Sequence, residues 1–80
     1  MAKPKRKVRS ILPHRKIIGE AIRLCRKDAN LTQEQLAELV DLNPKYIGEV
    51  ERGEKIISIE ALLRIAKAVK VPACEFLRAL

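Results

Sequence analysis

Between Leu31 and Gly53, groups able to donate, accept or carry charge fall at helical spacing within one short stretch. Placed about 100° apart, Lys45, Gly48, Glu49 and Arg52 take one side of a helix, while Ile47, Val50 and Glu51 take the other. Tyr46 lies at the border. A lysine and a glutamate on an outward stripe suit base edges in a major groove. Lys donates to guanine O6 or N7, Glu accepts from cytosine N4, and apolar groups touch the thymine methyl. The plainer alternative is a surface i,i+4 pair between Lys45 and Glu49. Lys before Glu is the weaker order, worth at most a few tenths of a kcal/mol. Gln33 opens the preceding helix, where its amide and the unpaired N–H groups of the first turn suit a phosphate. Arg52 and Lys55 flank the end of the second helix, either as a phosphate clamp or as ordinary solvated cations.

Two short helices must position these groups, and the sequence carries the start and stop of each. Thr32 is an N-cap whose hydroxyl accepts from the open first turn, and Gln35, three residues on, completes a capping box. Gln35 is therefore a cap residue rather than a ligand. Leu36, Ala37 and Val40 share one face of this helix, which stops at Asp41. A second start follows at once, with Asn43 as N-cap and Pro44 at the first helical position, where a missing N–H costs nothing. That helix runs to about Arg52, and Gly53 supplies the left-handed residue that ends it. Two short helices joined by a tight turn describe a helix-turn-helix.

The run L-T-Q-E-Q-L-A, the spacing to Ile47 and Val50, and E-R-G-E-K followed by S-I-E-A-L-L resemble the lambda-repressor-like (Cro/repressor, xenobiotic-response-element type) helix-turn-helix family. The resemblance covers roughly Ile18 to Leu77. Within the family, the controller proteins of restriction–modification systems are similar in length and single-domain build. The resemblance implies a sequence-specific, DNA-binding transcriptional regulator that reads the major groove with its third helix. It would bind double-stranded DNA as a homodimer, two half-sites roughly 34 Å apart matching a symmetric dimer on a two-fold operator. Carried over residue by residue, the base-facing positions are Pro44, Lys45 and Glu49, with Tyr46 beside them. Gln33 takes a phosphate-contacting position, and Asn43, Arg52 and Lys55 complete the phosphate candidates. Family members often join the arginine late in helix one to the acid of the E-R-G segment, which suggests a structural Arg26–Glu51 ion pair. Two departures stand out: Asp41 occupies a turn position where glycine is usual, and Pro44 replaces a polar reader.

The remaining chain reads as helix throughout, giving an all-α fold of five helices in one domain. Pro13 marks the start of a first helix reaching about Ala29, with Ile18, Ala21, Ile22, Cys25 and Ala29 inward and Asn30 near its C-cap. Ser58 caps a fourth helix, with Ile59, Leu62, Leu63, Ile65, Ala66 and Val69 expected on its buried side. Val71-Pro72 opens a fifth, with Ala73, Phe76, Leu77 and Leu80 at i, i+3, i+4, i+7. That face exceeds what one short helix needs to dock, so Phe76, Leu77 and Leu80 are candidates for a dimer interface. With one Phe, one Tyr and no Trp in 80 residues, the core must be aliphatic. No apolar run approaches the roughly 20 residues of a membrane span, and the basic N-terminus lacks the apolar region of a secretory signal. Cys25 and Cys74, with one histidine, His14, make neither a metal site nor a disulfide framework; reduced core thiols in the cytoplasm fit best. The sequence carries no catalytic set, cofactor motif or small-molecule site, and an enzyme is not expected.

Charge is unevenly spread. Residues 1–16 hold seven basic groups and no acidic one, so the whole net charge of +7 belongs to the N-terminus. Residues 1–12, with Pro4 and no hydrophobic period, read as a flexible basic arm preceding the 13–80 domain. Lys3, Lys5, Arg6, Lys7 and Arg9 suit a polyanion along which they can track. Two other uses fit parts of this pattern: an antitoxin that binds DNA and masks a toxin, and a helical adaptor whose arm meets RNA or an acidic partner. K-P-K-R-K-V-R also resembles a nuclear-localisation signal, although the rest of the chain looks prokaryotic and nucleoid-associated. Each neutralised phosphate adds roughly 0.9 to the slope of log affinity against log salt. Deleting residues 1–12 should therefore flatten a dimer's slope by about five if about three contacts per subunit are lost. Equal slopes for full-length and shortened protein, on specific and scrambled duplexes, would reject the arm as a DNA contact.

Overall fold

A computed structural model describes residues 12–80, so the five arm cations lie outside the described residues. Among those residues the secondary structure is all helical: α1 (Leu12–Asp28), α2 (Gln33–Val40), α3 (Pro44–Glu51), α4 (Ile59–Val69) and a closing 3₁₀ turn (Ala73–Leu77). The capping box is formed: Thr32 Oγ1 accepts from the Gln35 N–H at 3.0 Å, and Gln35 Oε1 accepts from the Thr32 N–H at 2.9 Å. Asn43 Oδ1 accepts from the Lys45 N–H at 2.8 Å with Pro44 in the first turn, and Ser58 Oγ accepts from Ala61 at 3.1 Å.

All four α-helices end in the same way. The N–H groups of Leu31, Leu42, Glu54 and Val71 return to the carbonyls of Arg26, Ala37, Glu49 and Ala66, five residues back, at 2.8–3.1 Å. This closure needs a left-handed residue just before the returning N–H. Asn30, Asp41, Gly53 and Lys70 fill it, with φ of 61°, 58°, 78° and 60°. Asp41 therefore adopts the conformation that glycine usually supplies in such a turn, and Lys70 does so without any sequence sign.

Ile22, Leu36, Ile47, Ile65 and Phe76 meet in the core, each at most 1 % exposed. α1 packs on α3 and the closing turn, while α2 packs on α3 and α4. Contact between α1 and α3 is backbone to backbone at Gly19. A methyl there would overlap the Val50 carbonyl oxygen and stand 2.8 Å from that of Glu51.

Three expectations need correction. The fifth element is a 3₁₀ turn, not an α-helix: it closes by i→i+3 bonds such as the Glu75 N–H to the Pro72 carbonyl at 2.9 Å. At three residues per turn, Ala73 and Phe76 share one row while Leu77 and Leu80 fall in the next. The continuous face accordingly splits: Phe76 is 0 % exposed and completes the core, whereas Leu77 and Leu80 are exposed. Phe76 is thus unavailable to a partner. On α4, Ala61, Ile65, Ala66 and Val69 face inward, but Ile59 is 75 % and Leu63 55 % exposed. Each lies two residues, or about 200°, from Ala61, which is the far side of the helix. Finally, Cys25 is partly buried, its thiol pushed up by burial and then by Asp28 and Glu75, while Cys74 lies on the surface.

Gly19→Ala should cost at least about 2 kcal/mol, since two backbones would have to separate. Gly48→Ala meets only the mobile ends of Arg52 and Gln33 and replaces a glycine inside a helix. It should be neutral or slightly stabilising. Urea unfolding of both variants checks the contrast.

Candidate nucleic-acid interface

α3 offers its inner face to the core through Ile47 and Val50, and its last residue, Glu51, is only 7 % exposed. The Glu51 carboxylate is fully engaged. Arg26 of α1, 8 % exposed, donates to it from Nε at 2.7 Å and from Nη2 at 3.0 Å. Gln33 Nε2, at the start of α2, donates to Glu51 Oε1 at 2.9 Å. Arg26 Nη1 donates onward to the Leu31 carbonyl at 2.8 Å. One acid at the end of α3 thereby fastens α1, the α1–α2 turn and the first residue of α2. The hydrogen bonds to Glu51 push the Arg26 pKa up, against the opposing effect of burial. A raised pKa on a cation contributes stability below its ordinary value and loses it as pH rises through the raised one, in strong alkali.

On the outer side, Asn43, Lys45, Tyr46, Glu49 and Lys55 line one cleft. The Glu49 carboxylate meets Lys55, with Nζ to Oε1 at 3.5 Å, and the Glu49 side chain is only 19 % exposed. This acid is drawn into the cleft by a lysine of the α3–α4 loop, in place of the surface pairing with Lys45. Pro44 and Lys45 stand exposed at the N-terminal end of α3. Tyr46 is half-buried, and its hydroxyl accepts from the Ser58 N–H at 3.1 Å. The ring therefore braces the loop carrying Lys55 against the first turn of α4.

Arg52 and Glu54 form a forked ion pair across Gly53, Nε to Oε2 at 2.9 Å and Nη2 to Oε1 at 3.2 Å. Their bond pushes the Arg52 pKa up and that of Glu54 down. For Glu54 the contribution is present above the ordinary carboxylate range and is lost as pH falls through its depressed value. Gly48 is buried rather than outward-facing because Arg52 and Gln33 lie over it. Their Nη1 and Oε1 stand 3.0 Å and 3.4 Å from where a Cβ would be. Asn43 spends its amide oxygen on the α3 cap, and Gln33 commits one N–H to Glu51, so each brings only its remaining donors to an anion.

The structure thus gathers Gln33, Asn43, Lys45, Glu49, Arg52 and Lys55 around α3 and holds Arg26 and Glu51 beneath it. Sequence reasoning passed over Glu54 and the Tyr46–Ser58 brace, and set Gly48 on the outward stripe although the fold buries it. Only Glu54 left a sign, an acid two residues past an arginine across a glycine turn. Breaking the buried pair by Glu51→Gln should cost about 3–5 kcal/mol, because Arg26 stays buried without a counter-charge. The apolar double variant Arg26→Met/Glu51→Leu should lose less than the sum of its single changes in urea unfolding.

Comparison with known proteins matches residues 22–76 to the helix-turn-helix family model. Control protein C.SmaI of Serratia marcescens is 44 % identical over 55 residues, spanning 69 % of this chain and 66 % of that protein, just under two thirds of it. Control protein C.BamHI of Bacillus amyloliquefaciens is 36 % identical over 58 residues, spanning 71 % of this chain and 72 % of that one. Among solved structures, the restriction-modification controller protein C.AhdI from Aeromonas hydrophila superposes with a TM-score of 0.75 at 34 % identity. The superposition covers 78 % of this chain and 94 % of that one. On sequence and on structure alike, this chain belongs to the helix-turn-helix family.

Proposed function

We propose that this protein is a sequence-specific DNA-binding transcriptional regulator of the restriction–modification controller type. In this reading α2 and α3 are the helix-turn-helix, α3 enters the major groove, and a homodimer occupies a two-fold operator in the bacterial cytoplasm. The observation that carries the proposal is the Glu51 network. It holds α3 rigidly on α1 and α2 while Pro44, Lys45 and Glu49 lie on the opposite side, rimmed by Gln33, Asn43, Arg52 and Lys55. The controller-protein relatives support the same assignment.

The chemistry follows from the side chains. Lys45, exposed near the N-terminus of α3, donates to guanine O6 or N7, and the Pro44 ring meets a thymine methyl. Glu49 accepts from cytosine N4 once it leaves Lys55, which is then free for a phosphate. Tyr46 serves mainly through its hold on Ser58. The basic arm adds phosphate or groove contacts.

Lys45→Ala and Glu49→Ala should each weaken binding to the preferred site by about 1–3 kcal/mol and relax base preference there. Gln33→Ala should weaken all sequences alike. Unchanged site preference in both stripe variants, read by selection from a random duplex pool, would remove Lys45 and Glu49 as readers.

For the dimer, two exposed apolar sets compete: Leu77 with Leu80, and Ile56 with Ile59 and Leu63. We assign the interface to the first set. Leu80→Asp should yield a folded monomer in sedimentation, and Ile59→Asp should remain dimeric. The reverse result would move the two-fold axis to α4.

A further inference from the structure

Arg52 and Glu54 stand on either side of Gly53, whose left-handed backbone (φ 78°) reverses the chain within one residue. The reversal brings guanidinium and carboxylate face to face in two parallel contacts, 2.9 and 3.2 Å. Burial does not force this pairing, since the two side chains are 57 % and 55 % exposed. The other end of the guanidinium lies back over Gly48 beside Gln33 Oε1. Arg52 is therefore laid along the outer surface of α3, its fork already filled by an anion. Lys16, Glu20 and Glu51 line the cleft that Arg52 and Glu54 share.

An arginine fork receives the two oxygens of a carboxylate and two oxygens of a phosphodiester with the same parallel geometry. We propose that Glu54 occupies a phosphate position on this surface and competes with the DNA backbone for Arg52. The proposal rests on the DNA-binding reading above and adds a competing acid to it. An exposed ion pair is weak, whereas a phosphate contact is driven by release of condensed counterions. DNA therefore wins the exchange, but at the cost of leaving the Glu54 charge beside the phosphates, with Lys16 the nearby cation to balance it. Glu54 lowers affinity without touching a base, while Arg52 meets the same phosphate with or without it.

The experiment is a double-mutant cycle of wild type, Glu54→Gln, Arg52→Ala and the double variant. Affinities are read by fluorescence anisotropy across a salt series. The probes are a duplex selected by the wild-type protein from a random pool and its scrambled counterpart. Glu54→Gln should bind both duplexes about two- to fivefold more tightly, the range of an exposed ion pair. Its salt slope should stay close to that of the wild type, because Arg52 meets the same phosphate in both proteins. In the Arg52→Ala background the gain from Glu54→Gln should shrink, because only the repulsion between Glu54 and the phosphates is then relieved. An equal gain in that background would mean that Glu54 acts only as a general negative charge, and would overturn the proposal. Unchanged or weaker binding by Glu54→Gln, with an unchanged thermal melt, would overturn it too. Failure of the wild type to bind any duplex would reject the DNA-binding reading itself.

Discussion

The arrangement of α3 depends on one buried ion pair. Arg26 and Glu51 are 25 residues apart in sequence and among the few charged groups the fold buries. Such a pair stabilises only when the desolvation of both charges is offset by good geometry and satisfied hydrogen bonds. Here the carboxylate receives three N–H donors, two from Arg26 and one from Gln33, and the remaining arginine nitrogen bonds the Leu31 carbonyl. An apolar contact at this place would tolerate sliding of α3 along α1. A fork matched to two oxygens does not. The glycine at position 19 lets the two helices approach closely enough for the fork to reach.

Around this fixed point the surface is built from charges that already have partners. Glu49 is held by Lys55, Arg52 by Glu54, and the cap of α4 by Tyr46. Beyond residue 16 the sequence holds as many acids as bases, so the net positive charge is concentrated in residues 1–16. On the DNA-binding proposal, attraction falls to the arm and discrimination to short-range exchange of partners on α3. This division of labour is what allows affinity and base preference to be altered by different residues.

The helix ends repeat one device with four different residues. Asn30, Asp41, Gly53 and Lys70 all take the left-handed conformation, and only one of them is glycine. The strain at the other three is offset by the carbonyl-to-amide closures that each turn makes. At Gly53 a Cβ would stand 2.7 Å from the Lys16 side chain, so space as well as φ disfavours any other residue there.

Much of α2 and α3 was legible in the sequence because their caps are local. Thr32 with Gln35, Asn43 with Pro44, and the stripe of Leu36, Ala37, Val40, Ile47 and Val50 all depend on residues within a turn or two of each other. The arginine–glutamate pair was legible only by resemblance, since no local rule links positions so far apart. Tertiary structure alone decided the rest. It placed Phe76 inside and Leu77 and Leu80 outside, by closing the chain with a 3₁₀ turn whose rows differ from those of an α-helix. It left Ile59 and Leu63 in solvent, because the packing of α4 against α2 selected Ala61 and Ile65 as the centre of its inner face. It gave Glu49 to Lys55 rather than Lys45, and bent Arg52 back onto Glu54, because the loop after α3 folds over that helix. Composition and spacing determine which groups a helix can present. Which of them meet, and which remain free for a partner, is set by contacts between elements that no single stretch of sequence contains.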